Sequence, residues 1–316
     1  MEKRSSSRRH VPKGRKVMKK ERLLIIGGTS YIGRNLGHYL SSNYEITLTY
    51  HNHPINIKNC YTFKVNLSDP IPFSGLKQCE AFDHIIWCAQ PTDYSQSLDI
   101  YGNIIDINIF GIQKALEFSR SNAAKNFIYL SSGTIYETPD KLKLLDEKAP
   151  INPKSYYGFS KYVAEQICQH YALSTNMRIT ILRLFTVYGP NQKNKVIPRL
   201  WNCIKKEQEI SLNQNVGMVF NAIYIEDLTK IIYFFLKDIT DYRYDIYNVA
   251  NPEILKLVDI CQLIGRIENK EPKIKSVDKP ILYSIANTQH LKNKFSQIKF
   301  TSMEDGIRNI FNEGFE

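Results

Sequence analysis

The chain has 316 residues, 43% of them hydrophobic, enough for one large domain or two closely joined ones. Its formal charge of +11 is mostly local: residues 1–20 hold nine Lys or Arg and one Glu, a net +8, so the remainder is nearly balanced and argues against a nucleic-acid surface. The leader has no apolar core and is no secretory signal, no apolar run is long enough to span a bilayer, and the six cysteines (Cys60, Cys79, Cys88, Cys168, Cys203, Cys261) include no CxxC pair, which reads as reduced thiols in a cytoplasmic protein.

Residues 1–20 read as a disordered basic leader, with Met18 an alternative start. From Arg22 to Gly27 a short apolar run ends in glycine and predicts a buried parallel strand. Gly28-Thr-Ser-Tyr-Ile-Gly33 follows, then helical spacing to Leu40. A strand, a glycine turn and a helix start would seat a pyrophosphate on backbone N–H groups at the helix N-terminus. The second strand, Glu45 to Tyr50, ends in Thr49-Tyr-His-Asn-His53 with no acid for an adenosine ribose. That absence permits a 2′-phosphate and tilts the reading from NAD to NADP, with Arg34 or His51 as its holder. His51 and His53, without further nearby ligands, do not make a metal site.

Cys60 to Val65 and Phe82 to Cys88 give the third and fourth strands, and residues 91–100 are expected to line the cofactor mouth. Asn103 to Arg120 reads as one long amphipathic helix containing Asn108. The fifth strand, Asn126 to Leu130, runs into Ser131-Ser-Gly-Thr134, and such strand ends are where open α/β sheets bind ligands. No Gly-x-Ser-x-Gly elbow surrounds Ser132, which excludes a serine hydrolase of that type. Ser155-Tyr-Tyr-Gly-Phe-Ser-Lys161 opens a helix reaching about Leu173. Four-residue spacing puts Tyr157 and Lys161 on one face, where the ammonium is expected to ease ionisation of the phenol. Tyr233 and Lys237 share that spacing in a helix that reads as core. After a sixth strand, Ile179 to Leu184, strict alternation breaks. Helices 196–206 and 225–236, a strand 244–249 and short helices 255–267, 288–294 and 302–312 complete the chain. The expected division is a Rossmann domain over 21–188, with 221–250 returning to it, and a smaller substrate subdomain from 189–220 and 251–316.

The ordered set of motifs resembles the extended short-chain dehydrogenase/reductase family, the NAD(P)-dependent sugar-nucleotide epimerases, dehydratases and reductases. Gly27-Gly-Thr-Ser-Tyr-Ile-Gly33 is similar to its glycine loop, Trp87-Cys-Ala-Gln90 to its fourth-strand motif, and Ser131-Ser-Gly-Thr-Ile-Tyr136 to its serine segment. Tyr157 and Lys161 match its Tyr-x-x-x-Lys pair, and Leu182 to Pro190, Ala222 to Asp227 and Tyr247 to Ala250 match later motifs. The resemblance implies an α/β, doubly wound parallel sheet and a homodimer. It implies Ser132, Tyr157, Lys161 and Asn108 as catalytic residues. Gly27, Thr29, Ser30, Tyr31, Ile32, Gly33, Arg34, His51, Ala89 and Lys161 would hold NAD or NADP. Thr134, Thr186, Arg199 and Phe220 would face a nucleotide-sugar substrate, with no metal. The implied activity is a 4-epimerase or 4-keto-sugar reductase, against a reductase of another carbonyl or a non-catalytic cofactor-binding subunit. Ser30 replaces the middle glycine, with a hydroxyl able to bond a phosphate. Phe220-Asn221 replaces an Arg-Asp diphosphate grip, for which Lys195, Arg199 or Arg243 could substitute. Gly133-Thr134 lacks the acidic pair of 4,6-dehydratases, which disfavours water elimination.

Overall fold

The structure is a computed structural model that describes residues 19–78, 80–91, 93 and 97–313. Most of the basic leader, Cys79 and residues 92 and 94–96 of the 91–100 stretch expected at the cofactor mouth lie outside the described residues. Along the chain, β1 (Arg22–Ile26), α1 (Tyr31–Leu40), β2 (Glu45–Tyr50), β3 (Cys60–Lys64) and β4 (His84–Trp87) come first. Next are α2 (Tyr101–Ile105), a π-helical turn (Asp106–Gly111), α3 (Ile112–Ser121), β5 (Asn126–Ser132), β6 (Leu144–Leu145) and α4 (Tyr156–Ser174). β7 (Arg178–Leu184), β8 (Thr186–Tyr188), α5 (Val196–Lys205), β9 (Ile210–Asn213), β10 (Met218–Phe220), β11 (Ala222–Tyr224), α6 (Ile225–Lys237) and β12 (Tyr244–Val249) follow. β13 (Leu255–Lys256), α7 (Leu257–Glu268), β14 (Ile274–Val277), β15 (Leu282–Ala286), α8 (Gln289–Lys294) and α9 (Met303–Glu313) close the described chain.

Seven strands form one sheet in the order β12-β7-β5-β4-β1-β2-β3, and every pairing in it is parallel. The order reverses between β1 and β4, so the crevice outside their C-terminal ends is the switch point of a doubly wound sheet. The two faces carry separate cores. Leu23, Ile25, Ile86, Ile128 and Leu182 face α1 and α6. Leu24, Ile26, Ile85, Phe127, Tyr129 and Ile181 face α3 and α4. Near-continuous apolar runs of this kind are what a sheet covered on both sides requires. A third core, with Trp201, Ile204, Phe220, Ile264 and Ile307, is built by α5, α7, α9 and the strands β9 to β11.

Two sequence expectations change. The helix expected over 103–120 is broken by the π turn that carries Asn108. The C-terminal stretch contains strands as well as helices: β14 pairs with β9, and β15 lies between β10 and β6. These strands are two to five residues long, too short for a period of two to show in the sequence.

One buried ion pair ties the layers together. Arg183 Nη2 on β7 stands 2.8 Å from Glu165 Oε2 on α4, and their side chains are 3% and 0% exposed. Ser131 at the end of β5 donates to the same carboxylate, and Arg183 Nη1 donates to Tyr136 Oη at 2.8 Å and to the Glu147 carbonyl at 2.9 Å. Removing one member leaves the other charge buried and unpaired. Glu165→Ala is therefore expected to lower unfolding stability by about 3–5 kcal/mol, measured by denaturant titration; a loss below about 1 kcal/mol would mean that water replaces the carboxylate.

Candidate active site

A cleft opens at the C-terminal ends of β1, β2, β4, β5 and β7. One lobe has a volume of about 1050 Å³ and is lined by Gly27, Thr29, Ser30 and Tyr31, by Tyr50, His51 and Asn52, and by Ala89, Gln90 and Asp93. The second, also about 1050 Å³, shares Thr29, Ser30 and Tyr31 and reaches Ser132, Tyr157, Lys161 and Thr186. The glycine turn sits between them. Gly27 has φ +86°, and a Cβ there would stand 2.5 Å from Ala89 N, so only glycine fits at that crossing. Ser30 is the N-cap of α1, its hydroxyl accepting from Gly33 N at 3.1 Å, which leaves its own proton to donate. The residues fit a dinucleotide: a helix N-terminus aimed into the crevice, long grooves on both sides and no carboxylate at the end of β2.

The serine segment illustrates the two-fold alternation of a strand. Ser131 is buried on the α4 side and bonded to Glu165, whereas the next residue, Ser132, is half-buried and lines the cleft. Ser132 Oγ accepts from Thr134 N at 3.2 Å and lies 2.9 Å from Thr134 Oγ1. α4 packs its first turn directly on this segment. A Cβ on Gly158 would stand 2.7 Å from the Thr134 carbonyl, so the glycine between Tyr157 and Lys161 sets how closely the phenol approaches Ser132. Lys161 is buried, and its Nζ donates to the Leu130 carbonyl at 2.9 Å and lies 5.7 Å from the Tyr157 ring centroid. Asn108 is completely buried, and its Nδ2 donates to Ser160 Oγ at 2.9 Å.

Burial pushes the Tyr157 phenol well above its ordinary range. Lys161 is itself brought down to about 8 by burial, with Cys88 and Glu165 acting the other way. Loss of water around the half-buried phenol and the buried lysine disfavours the charged form of each.

Among the other expected residues, Thr134 and Thr186 line the lobe with Ser132, and Arg199 lines the lobe with His51. Ile32 and Arg34 lie in the Ser132 lobe rather than beside His51, and Arg34 Nε donates to the Thr29 carbonyl at 3.0 Å. Arg34 is thus held on the glycine turn. Phe220 is not at the cleft: it is fully buried on β10, opposite Leu255 and Ser284. Asn221 exchanges two 3.1 Å hydrogen bonds with Ala286, so this dipeptide closes the third core. Arg243 precedes β12, at the opposite end of the sheet from the cleft, which removes it as a diphosphate ligand. Tyr233 and Lys237 are structural, meeting Tyr39 edge-on and Glu21 at 3.7 Å. Among the described residues no cluster could hold a metal ion, and no helix is long and apolar enough to cross a membrane. Sequence reasoning missed Glu165 and Arg183. Their signals were available: Glu165 is four residues beyond Lys161, and Arg183 interrupts an apolar strand, where only a paired charge is tolerated.

The doubly wound sheet, with a glycine turn at its switch point and a Ser, Tyr and Lys set beside it, defines a dinucleotide-binding α/β enzyme. A model of the NAD dependent epimerase/dehydratase family matches residues 23–250, and the chain belongs to that family. It is 26% identical over 271 residues to a dTDP-D-glucose 4,6-dehydratase of Dictyostelium discoideum, covering 78% of this chain and 62% of that protein. It is 25% identical over 325 residues to protein CapI of Staphylococcus aureus, covering 90% and 96%. The fold superposes on UDP-glucuronic acid 4-epimerase of Bacillus cereus in complex with UDP-glucuronic acid and NAD, with a TM-score of 0.82 at 20% identity, over 92% of this chain and 98% of that one. For the NAD complex of Thermus thermophilus UDP-glucose 4-epimerase the TM-score is 0.80 at 21% identity, with the same coverage.

The Lys161 shift has a testable sign. Its pKa falls from 10.5 to about 8 on folding, so its charge opposes folding fully below pH 8 and the opposition fades as pH rises from 8 to 10.5. In cofactor-free protein, Lys161→Met should raise stability at pH 7 by up to about 3 kcal/mol. The gain should vanish towards pH 10.5. Denaturant midpoints of both proteins across this range check it; equal pH dependence would refute it.

Proposed function

We propose that the chain is an NAD(P)-dependent sugar-nucleotide 4-epimerase. The observation that carries this reading is the convergence of Ser132, Tyr157 and Lys161 on one lobe that opens directly onto the glycine turn. Bound there, NAD(P)+ would supply hydride acceptance and return. Tyr157 Oη takes the proton from the sugar hydroxyl and later gives it back. Ser132 Oγ donates to the same oxygen as it becomes a carbonyl. Lys161, anchored on Leu130, holds a nicotinamide ribose and adds positive charge beneath the phenol. The cofactor's own charge is needed as well, because burial raises Tyr157 when the chain is alone. Gly133 and Thr134 offer no acid and base for eliminating water, so the dehydratase activity in the name of one relative is not transferred.

The substrate's diphosphate is assigned to Lys195 and Arg199. Lys195 lines both lobes, Arg199 stands one turn along α5, and the position expected to carry an arginine is the buried Phe220. Absence of a carboxylate after β2, where Tyr50, His51 and Asn52 line the cleft, supports acceptance of NADP alongside NAD.

Tyr157→Phe should lower kcat with UDP-glucose or UDP-glucuronic acid by about 10²–10⁴-fold while NAD+ and NADP+ dissociation constants stay within about threefold. A variant retaining wild-type turnover would sink the assignment. Lys195→Met should raise KM for the same sugars by about tenfold or more, consistent with loss of a charge-assisted contact, and change kcat little. An unchanged KM would place the diphosphate elsewhere.

A further inference from the structure

Ser160 lies on α4 between Tyr157 and Lys161 and is completely buried. Its Oγ accepts from Asn108 Nδ2 at 2.9 Å and donates to the Tyr157 carbonyl at 2.8 Å. The second bond is local, a helical serine closing on the carbonyl three residues back. The first is not: it reaches another helix, at the one place where that helix widens into a π turn. Such wide turns gather at functional sites. Among the described residues Asn108 Oδ1 is buried without a hydrogen-bond partner, and the side chain is held through its Nδ2 bond to Ser160.

We infer that Ser160 is a positioning residue for Tyr157, its hydroxyl joining the Asn108 amide of the π turn to the Tyr157 carbonyl and holding the first turn of α4 in place. The inference rests on the role proposed above for Tyr157. Two anchors then fix the phenol and the ammonium separately. Lys161 is tied to β5 through Leu130, and Tyr157 is tied to the 106–111 turn through Ser160. With 5.7 Å between Lys161 Nζ and the Tyr157 ring, a small rotation of that first turn changes how strongly the ammonium acts on the phenol. Successive bonds in one chain also polarise one another, so the Asn108, Ser160 and Tyr157 carbonyl contacts act as a unit.

The test is a phenolate absorbance titration of the NAD+-loaded protein, with Tyr157→Phe as the blank. In Ser160→Ala the Tyr157 step is expected at a pH about 0.5 or more higher than in the wild type, with NAD+ affinity unchanged. Asn108→Ala should give a similar displacement, the double variant no more than the larger single one, and Ser160→Thr, which keeps the hydroxyl, should restore the wild-type position. Ser160→Cys, close in size and a weak donor, serves if the alanine variant does not fold. A Ser160→Ala or Ser160→Cys protein titrating with the wild type, or a double variant in which the two displacements add, would overturn the inference. Loss of the step in Tyr157→Phe reports on Tyr157 alone, so the two readings fail separately.

Discussion

A carboxylate that is completely buried needs partners for its oxygens, and Arg183 supplies them to Glu165. Burial works against the Arg183 charge as well, yet the bonds to Glu165 hold its pKa above the ordinary arginine value. The pair does more than cancel two charges. Glu165 belongs to the helix that carries Tyr157 and Lys161, Arg183 to the strand beside β5, and Ser131 to the residue before Ser132. Tyr136 extends the network to Asn248 on β12 at 2.7 Å, and Asn248 N donates to Glu147 at 2.8 Å. The strands β5, β7 and β12 and the helix α4 are thereby locked to one another by bonds of defined direction, which apolar packing alone does not provide.

Behind that lock the site holds its charge at a cost. Packing around the two side chains withdraws water from them, which raises the Tyr157 phenol and lowers the Lys161 ammonium. A protein arranged only for stability would not bury a lysine there. The arrangement fits a site completed by a positively charged ring, whose charge arrives with the ligand rather than with the chain. Gly158 and Ser160 then gain their meaning: one permits close approach to the Ser132 segment, and the other fixes the turn that presents the phenol.

Much of the scaffold was legible because its signals are local. The six Rossmann strands and the crossing at Gly27 show as apolar runs ending in glycine or in polar turn residues, and the return strand 244–249 was found the same way. The substrate end was read less well. Phe220 was placed at the cleft by position in a motif and Arg243 was offered as a substitute cation, but strand pairing turns the first into the third core and carries the second to the far edge of the sheet. Short strands such as β10 and β15 have no periodic signature, since their pairing is decided by partners more than 60 residues apart in the chain, as Phe220 and Ser284 are.

The sequence by itself determined the strand and helix alternation and the glycine turn, because these are properties of neighbouring residues, and its ordered motifs, by resemblance, supplied the doubly wound fold and the candidate Ser, Tyr and Lys. Only the tertiary structure decided which charges those residues feel and which cations line the cleft. Burial, and with it the direction of the shifts at Tyr157 and Lys161, depends on groups from β5, α4 and β7 meeting at one place. Desolvation is a property of that assembled volume, and no spacing along the chain encodes it.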